Sequence, residues 1–149
     1  MNFRIQFMTA IALCFATFTF GSPMGESTCN VSLAPAGIDT KIPPGWPAGS
    51  SHGYICGSSQ NNNPAVAYHQ CRTCRATAVG EQCKLFHAAK SPTLPSVPCN
   101  LGYGPMDSVY GGRRSYYCHE GAHAYMCSGI GNASVCDECA PYQFDISDL

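Results

Sequence analysis

Charged residues are scarce in this sequence. Asp, Glu, Lys and Arg make up 11% of its 149 residues, and eight basic residues against nine acidic ones leave a formal net charge of −1. Proteins that bind nucleic acid carry a clear excess of Lys and Arg on one face, to neutralise phosphates. The sequence therefore predicts no nucleic-acid partner.

Large aliphatic residues are also few beyond the first twenty positions, and no segment has the periodicity of an amphipathic helix. The single tryptophan, Trp46, lies in the turn-rich stretch PPGWPAG, where it can cover only a small core. A short chain without an aliphatic core needs covalent or metal cross-links to stay folded. The sequence supplies 11 cysteines for that purpose.

The N-terminal segment is the one long apolar run. Arg4 precedes FMTAIALCFATFTF, and the small residues of GSP follow, which is the pattern of a secretory signal peptide cleaved after Gly21. A membrane anchor is the alternative, but the run is shorter than the ~20 apolar residues that a spanning helix needs. We therefore expect a secreted protein that lacks residues 1–21 and has no membrane partner.

An even number of cysteines remains after Cys14 leaves with that peptide. In a secreted chain an even number indicates disulfides by default. Two Asn-x-Ser/Thr sequons, at Asn30 and Asn132, are possible glycosylation sites. The remaining cysteines are Cys29, Cys56, Cys71, Cys74, Cys83, Cys99, Cys118, Cys127, Cys136 and Cys139.

Three short patterns occur twice, in the same order. CNVSLAP is followed by HGYIC and CRTC, and CNLGYGP is followed by HAYMC and CDEC. This predicts a tandem duplication, with modules at 22–82 and 99–149 and a proline-rich linker at 83–98. Short Tyr- and Cys-rich segments bounded by Gly and Ser predict strands, so the expected fold is small, cysteine-rich and mainly β or irregular.

A zinc-protease signature, H-E-x-x-H, spans His119 to His123 and includes Glu120. A catalytic zinc helix would place both histidines on one face. Gly121 and the flanking tyrosines make a poor helix, and the first repeat has a counterpart for His123 alone. We therefore expect a protein that is not an enzyme, and keep a metalloprotease as the least favoured alternative.

The repeated His-x-Tyr-x-Cys and Cys-x-x-Cys patterns predict two structural zinc sites. One imidazole and three thiolates form a closed tetrahedral Zn²⁺ site. Cys29 and Cys99 are alternative fourth ligands. An all-disulfide scaffold is the competing interpretation, with two disulfides in each half and Cys83 paired to Cys118 across the halves. The predicted ligands are His52, Cys56, Cys71 and Cys74 in the first site and His123, Cys127, Cys136 and Cys139 in the second.

The signal peptide, the ten cysteines and the repeated Cys/His set resemble secreted avirulence effectors of rust fungi, in particular the stem-rust type with two zinc-binding repeats. Tyr54-Ile55-Cys56 is also similar to the Tyr-x-Cys motif of such proteins. The resemblance implies virulence activity in a plant host, possible translocation into the host cytoplasm, and host protein partners that include an immune receptor. The alternative is an apoplastic disulfide-linked toxin or binding protein, with inhibitory or sugar-binding roles.

Overall fold

The computed structural model describes residues 24–60, 63–110 and 113–144, and these form eleven antiparallel strands and no helix. The predicted signal peptide lies outside the described residues. The strands are β1 Gly25–Cys29, β2 Ser32–Pro35, β3 Tyr54–Ser58, β4 Ala67–Ala76, β5 Val79–Leu85, β6 Leu94–Pro98, β7 Gly102–Tyr110, β8 Arg113–Glu120, β9 His123–Cys127, β10 Gly129–Gly131 and β11 Ser134–Pro141.

The hydrogen-bonded strand pairs close into two rings. In the first ring, β1 and β2 are separated only by Asn30 and Val31 and act as one bent strand. β2 pairs with β3, β3 with β4, β4 with β11, and β11 with β1. In the second ring, β6 and β7 form the bent strand. It pairs with β8, then β9, and β5 returns to β6.

Each ring takes its closing strand from the other half of the sequence. β5 follows β4 along the chain, yet it pairs with β9, and β11 follows β9 and β10, yet it pairs with β4. The end of the predicted first module, Gln82, lies inside β5, and the predicted linker contains β6. The module boundaries stay a prediction, but the strands of the two modules are interleaved.

The two rings have matching registers. Cys29 is bonded to Cys56 in the first ring as Cys99 is to Cys118 in the second. In the same way, Cys71–Cys139 matches Cys83–Cys127. Gln82 and Glu138, each one residue before the cysteine of its closing strand, both have a positive φ, of 50° and 55°. In this match Tyr54-Ile55-Cys56 corresponds to Tyr116-Tyr117-Cys118, not to the segment ending at Cys127.

The first ring has one additional disulfide, Cys74–Cys136. The matching pair in the second ring is Gly80 opposite Ile130. A Cβ on Gly80 would lie 2.5 Å from the sulfur of Cys127 and 2.8 Å from that of Cys83. No larger residue fits there, so the second ring has room for only two disulfides.

Cysteine sulfur takes the place of aliphatic side chains in the core. The described buried apolar cluster contains nine of the ten paired cysteines, with Leu33, Ala78, Val97 and Tyr103, and Cys74 packs against it. The sulfurs of Cys29 and Cys136, from different disulfides, are 3.4 Å apart. This confirms a small β fold whose core depends on cross-links.

Tyr103 joins the rings. Its neighbour across the single β2–β7 pairing is Leu33, and its side chain is fully buried. The phenol donates a hydrogen bond to the carbonyl of Cys29 and accepts one from the Ser134 amide at 3.1 Å. A residue of the second ring therefore supports the backbone of the first.

The repeated Cys-Asn pattern has a structural role. Asn30 exchanges two hydrogen bonds of 2.8 Å with the backbone of Ser59, beyond the end of β3. Asn100 accepts a hydrogen bond from the amide of Gly121, in the matching turn after β8, at 3.3 Å. Each asparagine thus ties the bend of its long strand to the turn of the next hairpin.

Candidate functional site

The predicted zinc sites are wrong. All eight cysteines named as first-choice or alternative ligands are in disulfides, and a disulfide sulfur has no thiolate to offer a metal. The described residues contain no cluster of three or more His, Cys, Asp or Glu side chains suited to a metal ion. The eight are Cys29, Cys56, Cys71, Cys74, Cys99, Cys127, Cys136 and Cys139.

The two histidines of those predicted sites have other positions. His52 lies in the loop before β3, where its Nδ1 donates to the carbonyl of Thr40 at 2.7 Å. His123 is exposed at the start of β9. The cysteines of the two Cys-x-x-Cys patterns bond to each other and not to a metal. Cys71 lies opposite Cys139, and Cys74 lies opposite Cys136, across the β4–β11 ladder.

The pairing proposed for the all-disulfide alternative is also wrong in detail. Cys83 is bonded to Cys127, and Cys118 to Cys99. Three of the five disulfides cross between the halves, because β11 pairs with β4 and β5 with β9. Disulfides at this density indicate an oxidising environment, extracellular or secretory.

The H-E-x-x-H segment forms a hairpin turn. Glu120 ends β8, His123 begins β9 and the two are paired, while His119 is paired with Ala124. Adjacent strand residues point to opposite faces of a sheet. The imidazoles of His119 and His123 therefore point apart, and they cannot bind one catalytic zinc ion.

A cleft of about 480 Å³ lies beside the first ring, and we identify it as the candidate binding site. One wall is the long loop between β2 and β3, and the other is the end of β11 with the residues that follow it. Gln70 of β4 lies at its base. The lining residues are Asp39, Thr40, Lys41, Ile42, Pro43, Pro44, Gln70, Ala140, Pro141, Tyr142 and Gln143.

The loop wall is fixed by buried anchors. Trp46 is 8% exposed, and its indole N–H points to the sulfur of Met24 at 2.8 Å. The ring of Trp46 packs over Gly53, where a Cβ would lie 2.9 Å from the indole and 2.2 Å from the carbonyl oxygen of Cys71. With φ at +72°, Gly53 also adopts a backbone conformation that favours glycine. The cleft is therefore pre-formed.

Gln70 is a buried polar side chain with half of its amide in use. It is 3% exposed, and its Nε2 donates to the carbonyl of His52 at 2.8 Å. Its Oε1 accepts no hydrogen bond from any residue that the structure describes. Because Gln70 lines the cleft, this carbonyl oxygen is available to a bound molecule.

An aromatic group flanks the cleft. Phe144 makes edge-to-face contacts with Tyr68 and Tyr142, with ring centroids 4.7 and 5.1 Å apart. The backbone amide of Tyr142 bonds to the carbonyl of Tyr68 at 2.9 Å and holds this segment beside β4. Phe144 is 57% exposed, a large value for phenylalanine.

Signals for this cleft are weak in the sequence. The loop from Ala36 to Gly53 contains several Pro and Gly residues, which predict turns and not a binding wall. Neither Gln70 nor Tyr142 belongs to a recognisable motif. The chain matches no protein-family model, no curated protein and no solved structure. Across the part of the chain that the structure describes, there is no helix long and apolar enough to cross a membrane.

Proposed function

We propose that this chain is a secreted effector of a plant-pathogenic fungus, which acts by binding in the apoplast and is recognised there by a host immune receptor. The observation that carries the proposal is the pairing of all ten cysteines from Cys29 to Cys139 within one core. The resemblance to rust-fungus avirulence proteins, on cysteine content and motif order, supplies the host and the receptor.

The disulfides favour the apoplast over the host cytoplasm. Cytosolic glutathione and thioredoxin keep thiols reduced, and a chain without an aliphatic core has little else to hold it folded. A role in binding rather than catalysis is supported by the pre-formed cleft on a rigid scaffold. Exposed loops on such a scaffold are the usual carriers of specificity.

The matching registers of the two rings support an origin by duplication. Equivalent disulfides, equivalent Cys-Asn bends and equivalent left-handed residues at Gln82 and Glu138 recur at the same strand positions. A duplicated unit that exchanged its last strand with its copy gives this arrangement.

A leaf assay tests where the protein acts. Purified oxidised protein, residues 22–149, is infiltrated into the apoplast of a panel of host accessions, beside the same protein reduced and alkylated. A parallel arm expresses residues 22–149 in the plant cytosol. We expect cell death in responsive accessions with the oxidised, infiltrated protein only. A response confined to cytosolic expression, or equal activity of the alkylated chain, contradicts the proposal.

A further inference from the structure

We propose that the cleft beside the first ring binds a neutral oligosaccharide. This ligand assignment rests on the proposed function, since it names what an apoplastic binding protein would hold. It follows from three properties of the cleft: an accessible carbonyl oxygen on Gln70 that accepts no hydrogen bond from the described residues, polar groups of both kinds on the loop wall, and an aromatic group beside them.

The amide of Gln70 offers an acceptor to the cleft. Nε2 is bound to the His52 carbonyl, which fixes the orientation of the amide. The described residues contain no buried side-chain oxygen without a hydrogen-bond partner, so Oε1, which has none in the described protein, is accessible to solvent from the cleft that Gln70 lines. A ligand that presents a donor at this point would replace water there.

The loop wall requires a ligand that both donates and accepts. Asp39 offers a carboxylate, Lys41 an ammonium group and Thr40 a hydroxyl, all within the lining of the cleft. An anionic ligand would face Asp39 and the oxygen of Gln70, and a cationic one would face Lys41. A neutral molecule with closely spaced hydroxyls satisfies all of these groups, because each hydroxyl both donates and accepts.

The aromatic side favours a sugar ring over other polyols. Tyr142 lines the cleft and packs edge-to-face with Phe144, whose side chain is itself exposed. The face of an aromatic ring carries partial negative charge and attracts polarised C–H groups. Pyranose rings present such C–H faces with hydroxyls at the rim, which matches a cleft that is aromatic on one side and polar on the other.

The second ring provides an internal comparison. Phe86 takes the place of Tyr142, since its amide bonds to the carbonyl of Ala124 at 2.8 Å, as Tyr142 bonds to Tyr68. Met126 is the residue of the second ring that corresponds to Gln70. Met126 pairs with Lys84 of the closing strand, as Gln70 pairs with Ala140. The backbone is shared, but the buried amide is found only in the first ring, so the cleft is not a by-product of ring geometry.

Isothermal titration calorimetry on the oxidised chain, residues 22–149, tests this ligand class. The probes are chitohexaose for fungal walls, cellohexaose and xylohexaose for plant walls, and oligogalacturonate as an anionic comparator. We expect saturable binding of at least one neutral hexasaccharide. Tyr142→Ala should weaken that binding roughly 5- to 10-fold, the loss of one aromatic contact. The matched control, Phe86→Ala, should leave it unchanged.

Gln70→Met introduces the side chain found in the second ring, and it should also weaken binding. Circular dichroism and disulfide mapping show whether this variant folds. Lys41→Ala changes the exposed loop and not the core, and it should also weaken binding. No binding of any neutral probe, stronger binding of oligogalacturonate, or equal losses in Tyr142→Ala and Phe86→Ala overturns the proposal. None of these results depends on the leaf assay, which reports the compartment of action and not the ligand.

Discussion

Tyr103 joins the two rings through its pairing with Leu33 and the two hydrogen bonds of its phenol. Burial raises the pKa of its phenol, so the folded state favours the neutral form. Tyr103→Phe would leave the Cys29 carbonyl and the Ser134 amide without their buried partner, at a cost of about 1–3 kcal/mol. Urea unfolding of the two proteins at pH 7 measures the difference in free energy of unfolding.

The same variant makes a prediction about pH. A group with a raised folded-state pKa stabilises the fold below its ordinary pKa of about 10, and the contribution is lost as pH rises through the folded-state value. The advantage of the wild type over Tyr103→Phe should therefore shrink between pH 9 and pH 11. An unchanged difference over that range would mean that the phenol of Tyr103 does not stay neutral in the fold.

At the scale of strands, the exchange of β5 and β11 predicts that neither half folds alone. A chain cut between β5 and β6, giving fragments 22–89 and 90–149, leaves each ring without its closing strand. Each fragment should be unfolded by circular dichroism and hydrogen exchange. Refolded together under oxidising conditions, they should form three inter-fragment disulfides, which peptide mapping detects. A stable folded monomer from either fragment would contradict the exchange.

The neighbouring disulfides Cys71–Cys139 and Cys74–Cys136 should be partly redundant. They close chain segments of 68 and 62 residues between the same two strands. While one remains, the other closes only a short additional loop, so replacing either pair by alanine should cost about 2.5 kcal/mol. Replacing both should cost about 7 kcal/mol, more than the sum. Denaturant unfolding of the three variants gives the coupling, and strict additivity would argue against this account.

The β class and the dependence on cross-links could be predicted, because both follow from local composition. Whether the cysteines bind metal or form disulfides could not be predicted. Cys-x-x-Cys has the same spacing in a metal-binding turn and in a strand whose partner carries the same pattern, and only the β4–β11 pairing distinguishes them. From the sequence, His52 resembles a metal ligand because it lies four residues before Cys56. In the structure its Nδ1 donates a hydrogen bond to the carbonyl of Thr40 in the long loop. These are long-range relations, and the pairing of ten cysteines cannot be read from their order.

For the whole molecule, disulfides in place of zinc give a simple expectation. EDTA should leave the midpoint of thermal unfolding unchanged, whereas dithiothreitol should unfold the chain at ambient temperature. Thiol counting by alkylation and mass spectrometry should find no free cysteine among the ten, and elemental analysis no stoichiometric zinc. A chelator-dependent loss of structure would restore the metal hypothesis.

The exchanged strands also constrain how the protein is made. Cys71 and Cys74 are synthesised well before Cys136 and Cys139, and until then the cysteines that follow or adjoin them most closely in the sequence are each other and Cys83. The first ring cannot close until β11 has been synthesised, whereas all strands of the second ring are present once β9 is complete. The disulfides Cys71–Cys139 and Cys74–Cys136 therefore form only after β11 has been synthesised, and any earlier pairing of Cys71 or Cys74 must be resolved by thiol–disulfide exchange. Yield in a heterologous host should then be limited by isomerase capacity rather than by the rate of synthesis.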